Sequence, residues 1–212
     1  MESFKEIVNF YKDNIISLYL YGSYAVGDEV EGISDYNLFL VLNDYKFSKE
    51  LSLKYPPFIF TESELLSSID TFPIEILDIK ERGKLLYGRD ILKDIEIDKN
   101  YLRNQIEREL KQKIINFRRA LNFENKNLLI FMIMTYKSLT SILRAILHLN
   151  NLNKPLKRIF IYYEISKLFD VNYKMFLDIE ECLMDKLKNL NSLEPYVFEF
   201  YKFLEKLSKK YA

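Results

Sequence analysis

LYGSYAVGDEVEGISDYNLFLVL, residues 20–42, joins two apolar runs through a break rich in glycine and acidic residues. The first run, Ile15 to Tyr21, ends in Gly22-Ser23, and the second opens at Ser34-Asp35-Tyr36-Asn37. This pattern predicts a strand, a glycine turn, a loop and a second strand. Side chains alternate between the faces of a strand, so Asp35 and Asn37 are expected on one face and Tyr36 and Leu38 on the other. Gly22 permits a tight turn off the first strand, and Ser23 brings a hydroxyl and a backbone N–H that an anion can accept.

The fold class expected from the whole chain is α+β: an N-terminal mixed β-sheet with flanking helices, followed by a C-terminal α-helical bundle. All five glycines lie within the first 88 residues, and only Pro155 and Pro195 interrupt the remainder. Turn chemistry is therefore concentrated at the front, and a division into residues 1–96 and 97–212 follows from that asymmetry. The pattern predicts an opening helix at Glu2 to Lys12, then strands at Ile15 to Tyr21, Tyr36 to Leu42, Pro57 to Phe60 and Ile74 to Ile79. Between the last two, Thr61-Glu62-Ser63-Glu64 has the form of a capping box that starts a helix. From Tyr101 onward apolar residues recur at helical spacing, including Ile106, Leu110, Ile114 and Phe117, then Met132, Tyr136, Leu139 and Leu143. Further helices are expected at Leu156 to Leu168, with Pro155 in the first turn, at Tyr173 to Leu190 and at Glu194 to Tyr211.

At Gly22, Ser23 and Asp35 the chain resembles the nucleotidyltransferase superfamily related to DNA polymerase beta, especially the aminoglycoside adenylyltransferases similar to kanamycin nucleotidyltransferase. That family has an apolar strand, Gly-Ser or Gly-Gly, a loop, a carboxylate–apolar–carboxylate strand, and a third carboxylate on a later strand. The resemblance is specific over Leu18 to Leu42 and looser over Ile74 to Leu92. Asn37 departs from it, standing where the family has its second carboxylate. The resemblance implies a two-domain transferase. It would bind a nucleoside triphosphate such as ATP with Mg²⁺ or Mn²⁺ and pass a nucleoside monophosphate to a hydroxyl of a small molecule or protein. By that likeness Asp35 and Glu75 are the catalytic residues, Asp35, Asn37 and Glu75 the metal ligands, and Gly22, Ser23 and Ser34 the nucleotide contacts, with Asp78 the alternative to Glu75 as third acid. Mg²⁺ prefers oxygen ligands, so a neutral amide at Asn37 weakens such a centre. A non-catalytic nucleotide-binding or interaction module of the same fold is the competing reading. The family also leaves open a homodimer around the cleft.

Other features point elsewhere or nowhere. Lys plus Arg and Asp plus Glu number 31 each, which gives no overall basic charge to argue for a nucleic-acid partner. A single cysteine, Cys182, and a single histidine, His148, exclude an internal disulfide and disfavour a Cys/His zinc site. A cytoplasmic protein is expected, with no leader and no apolar stretch long enough to cross a bilayer. Asp28, Glu29 and Glu31 form an acidic loop that could compensate for Asn37, although a solvated loop is the plainer reading. Lys111, Lys113, Arg118 and Arg119 are read as a solvated helix face. Arg144 and His148 lie one helical turn apart, a weak likeness to the HEPN ribonucleases, whose spacing is wider.

Overall fold

Strands β1 (Ile15–Tyr21) and β2 (Asn37–Leu42) are apolar at nearly every position because both of their faces are covered. They pair antiparallel, and with β3 (Phe58–Thr61) and β4 (Lys84–Gly88) they form a four-stranded sheet in the order β3-β2-β1-β4. β2 and β3 run parallel, whereas β1 and β4 are antiparallel, so the sheet is mixed. The structure, a computed structural model, describes residues 2–46, 57–122 and 127–211.

One face of the sheet packs Leu18, Leu20, Leu38, Leu40 and Leu42 against Ile7 and Tyr11 of α1 (Glu2–Tyr11) and against Ala25 of the short helix α2 (Ser23–Val26). The other buries Ile16, Tyr19, Phe39, Val41 and Phe60 under Leu65 of α3 (Glu62–Ser67), Ile76 and Ile79 of α4 (Pro73–Arg82), and the following Leu92 and Ile95. Helix α3 starts as expected: the Thr61 side chain accepts from the Glu64 N–H, while the Glu64 carboxylate accepts from the Thr61 N–H at 2.8 Å.

The expected strand Ile74 to Ile79 is corrected to helix α4. Pro73 occupies the first turn, Glu75 lies near the positive end, and Lys80 and Arg82 lie in the last turn, all favourable to a helix. Asp78 and Arg82, four apart, close a bidentate pair with both distances 2.7 Å and side chains only 9% and 5% exposed. The strand in this region lies further on, at β4. Gly88 there has φ +82, and a Cβ would run into the Ile16 carbonyl, so glycine alone lets β4 close against β1.

The chain forms two compact units, one of residues 1–29 and 34–98 and the other of residues 30–33 and 99–212. In the second, α5 (Lys99–Asn122), α6 (Leu128–Leu149), α7 (Arg158–Phe169), α8 (Tyr173–Met184) and α9 (Val197–Tyr211) make the expected bundle. Pro155 lies before α7 rather than in its first turn, since Lys157 is the N-cap. Helix α8 stops six residues short of Leu190, because Lys186, Leu187 and Asn189 adopt positive φ. Contrary to expectation, α6 is long and apolar enough to cross a membrane by length and composition, but 61% of that window is buried inside the bundle, the pattern of a core helix. The bundle core is aromatic: Tyr136 and Tyr162 stack at 4.2 Å, and Phe176 and Phe203 pack beside them. Arg158 clamps Glu180 through two bonds of 2.7 and 2.8 Å, and the Tyr136 hydroxyl donates to the same carboxylate.

Candidate functional site

Cross-strand register brings the two halves of the quoted stretch to one end of the sheet, with Tyr21, the last residue of β1, directly opposite Asn37, the first of β2. The Gly22-Ser23 turn therefore starts where the Asp35-Tyr36-Asn37 segment arrives. Gly22 has φ +72 and ψ −152, a conformation open to glycine and hardly to any other residue. A Cβ on Gly22 would stand 2.8 Å from Asn37 Nδ2, so the amide occupies the space a side chain would need. Gly22 is required by its backbone angles, whereas its neighbour presents only the tip of a side chain that can shift.

Alternation along β2 directs Asn37 to the face of Phe39 and Val41, the face covered by α4. Tyr21 packs against the same core, and its hydroxyl is pushed above the ordinary tyrosine range by burial first and then by the carboxylates of Glu75 and Asp78. Tyr21 and Asn37 thus share one end of one sheet face, while Glu75, whose carboxylate acts on the Tyr21 hydroxyl, stands in the first turn of a helix and not on a strand. Asp78 is committed to Arg82. Asp35 is exposed just ahead of β2, and Ser34 beside it is buried. Tyr21 was not singled out in the sequence; its place before Gly22, opposite Asn37, is the signal that marks it.

Among the described residues, no group of three or more His, Cys, Asp or Glu side chains is arranged to hold a metal ion. Asp35 supplies a carboxylate and Asn37 an amide oxygen. One carboxylate and one amide are fewer charged donors than a protein-held pair of Mg²⁺ ions calls for.

Several of the remaining candidates have structural employment. Glu31 pairs with Lys186 at 2.8 Å. Arg144 is buried, and its guanidinium donates to the Lys154 carbonyl at 3.0 Å and to the Pro155 carbonyl, tying down the chain before α7, while His148 Nδ1 lies 3.2 Å from Lys154 Nζ. In the basic stretch of α5, Lys111 pairs with Glu107, Lys113 donates to Ser138 Oγ at 2.8 Å, and Arg118 reaches Tyr201 and Glu205 on α9. Cys182 is a buried thiol donating to the Lys188 carbonyl, its pKa pushed up by burial and by Asp185. A scan against protein-family models finds no match, and no curated protein matches the chain.

Proposed function

We propose that the N-terminal unit binds a nucleoside triphosphate with Mg²⁺ or Mn²⁺, ATP being the first candidate, and transfers its nucleoside monophosphate to a hydroxyl acceptor in the cytoplasm. The observation that supports this reading is the meeting of Gly22 with Asn37 at one end of the central strand pair, Asp35 standing two residues before Asn37 in the chain. In that role the Gly22-Ser23 backbone and the Ser23 and Ser34 hydroxyls hold phosphate oxygens, and Asp35 and the Asn37 oxygen hold the cation. The cation neutralises charge on the phosphates and on departing pyrophosphate. Glu75 takes the proton of the attacking hydroxyl as its oxygen bonds to the α-phosphorus and the bond to the β-phosphate oxygen breaks.

A second reading, a nucleotide-binding module without transfer, is favoured by the neutral amide of Asn37 and by the helical seat of Glu75. The test separates the two. Purified protein is titrated with each of the four ribonucleoside triphosphates, and then incubated with the α-labelled forms, Mg²⁺ or Mn²⁺, and a panel of hydroxyl acceptors. Pyrophosphate release with a labelled product supports the transferase. Saturable binding without release supports the module. Absence of binding by all four overturns both.

A further inference from the structure

Helix α7 turns Ile161, Tyr162, Ile165 and Phe169 into the bundle, yet its outer side is apolar as well, with Phe160 54% exposed and Tyr163 42%. A helix that is apolar all round is normally one that is buried all round. On α8, Tyr173 and Leu177 stand one turn apart, Tyr173 half-buried and Leu177 43% exposed. The Tyr163 and Tyr173 rings meet edge to face at 5.2 Å, which joins the two helices into one apolar face. Its aromatic residues are already held: the Lys167 ammonium lies 3.8 Å over the Tyr163 ring, and the Tyr173 hydroxyl donates to the Ile159 carbonyl at 3.2 Å. Anchors fixed in this way lose little freedom when a partner covers them.

The charges around this face decide which partner fits it. Glu164 pairs with Lys167 at 3.2 Å and Lys174 with Asp178 at 3.0 Å, so most of the rim is neutralised from within and selects neither an acidic nor a basic molecule. The complement is a surface equally apolar and equally neutral, which a second copy of the chain supplies. We infer that the α7–α8 face is a self-association surface, on which a second copy docks with its α7 antiparallel about a two-fold axis at Phe160. Exposed Lys157 stands three residues before Phe160, and Glu164 four after it. Antiparallel pairing brings each Lys157 to Glu164 of the second copy, and the symmetry makes that contact twice. This face belongs to the helical unit alone, and the inference does not rest on the nucleotide reading. Two helices of 12 residues cover about 18 Å in length and about 20 Å in width. That footprint is smaller than the roughly 800 Å² per partner of a stable complex, so the expected dissociation constant is about 10–100 µM.

The experiment is sedimentation velocity on the full chain from about 1 to about 300 µM, with circular dichroism to confirm that every variant is folded. The parent should pass from monomer to dimer across that range. Phe160→Ser should weaken the dimer at least tenfold, on the order of one central aromatic anchor. Phe198→Ser, which removes an aromatic ring 60% exposed on α9, should leave it within about twofold. Lys157→Glu and Glu164→Lys should each weaken it about threefold, and the two together should recover the parent's value, because the reversed charges meet again only across the axis. A parent that stays monomeric at every concentration overturns the inference, as does a dimer that Phe160→Ser leaves unchanged or that Phe198→Ser weakens equally. A double variant no better than the single ones overturns the antiparallel arrangement.

Discussion

Replacing Gly22 with alanine perturbs the junction at its narrowest point and separates backbone strain from side-chain crowding. With φ +72 and ψ −152, Gly22 lies in a region essentially reserved for glycine, and holding a residue with a Cβ there costs about 1–3 kcal/mol. The added Cβ also meets Asn37 Nδ2 at 2.8 Å, but the next nearest atoms of Asn37 are 3.8 and 3.9 Å away, so only the tip of a flexible side chain must give. Strain should therefore dominate, at about 2 kcal/mol. A loss of that size corresponds to roughly thirtyfold faster exchange for β1 and β2 amides that open with the sheet unit. A double-mutant cycle with Asn37→Ala isolates the crowding part, and the coupling should stay below about 0.5 kcal/mol. Urea unfolding followed by circular dichroism, with hydrogen exchange resolving β1 and β2, measures all four proteins. A Gly22→Ala cost under about 0.5 kcal/mol would refute the backbone argument. Full rescue by Asn37→Ala would show that crowding had been mistaken for strain.

Asn37→Asp should lower stability without metal, because the new carboxylate adds negative charge to a strand end already carrying Asp35, and should make the gain on adding Mg²⁺ larger than the parent's, about 1.4 kcal/mol in all when the ion is tenfold above the variant's dissociation constant. Equal metal-induced shifts in thermal melts of parent and variant would place Asn37 outside the cation site. Tyr19→Phe removes the hydroxyl that donates to Asp90 at 2.7 Å and accepts from the buried Leu92 N–H at 3.4 Å, and should cost about 1–3 kcal/mol at neutral pH. Burial and Asp90 push the Tyr19 hydroxyl up to about 12, so the folded form keeps a proton that the unfolded chain loses near pH 10. The parent's advantage should thus be complete below pH 10 and decline as pH rises toward 12, and denaturant melts showing a pH-independent difference would contradict this. Glu180→Ala leaves Arg158, itself 3% exposed, without its bidentate partner and should destabilise the bundle by about 3–5 kcal/mol, whereas Arg158→Met with Glu180→Leu should recover most of that. A single-variant loss below about 1 kcal/mol would mean water reaches the pair.

The central strand pair, the capping box at Thr61 and the bundle were legible because each rests on a local rule: continuous apolar runs, a side-chain-to-backbone bond, a helical period. Ile74 to Ile79 misled because a short β-branched apolar run does not distinguish a buried strand from one face of a short helix. Pro73, the acid at 75 and the Asp78-to-Arg82 spacing held the deciding signals, and they concern the ends of the element rather than its middle. β4 was hidden because Lys84 to Gly88 is a largely exposed edge strand, whose pairing with β1 depends on Gly88 fitting beneath Ile16. The meeting of Gly22 with Asn37 was legible, because two apolar runs joined by a short loop pair as neighbouring strands and bring the end of one to the start of the other. The effect of Glu75 on Tyr21 was not, since it depends on α4 lying across the sheet, and the hydrogen bond from Lys137 to the Ile33 carbonyl joins residues 104 positions apart.

Strand β1 is made early and completed late. Its neighbour on one side, β2, follows closely in the chain, but the other, β4, pairs Gly88 with Ser17. At ribosomal rates of about 5–20 residues per second, several seconds separate the synthesis of these partners. For that interval one backbone edge of an almost wholly apolar strand has no native partner, and Ile16 and Tyr19 await Leu92 and Ile95 to finish their cover. The nascent chain therefore passes through a stage in which its most aggregation-prone strand is exposed before the bundle has been translated, a natural window for chaperone engagement. Pulling force measured with arrest peptides should stay low until Gly88 to Ile95 clear the exit tunnel and then rise; an early rise, at the length that frees only β2, would show that the hairpin protects itself.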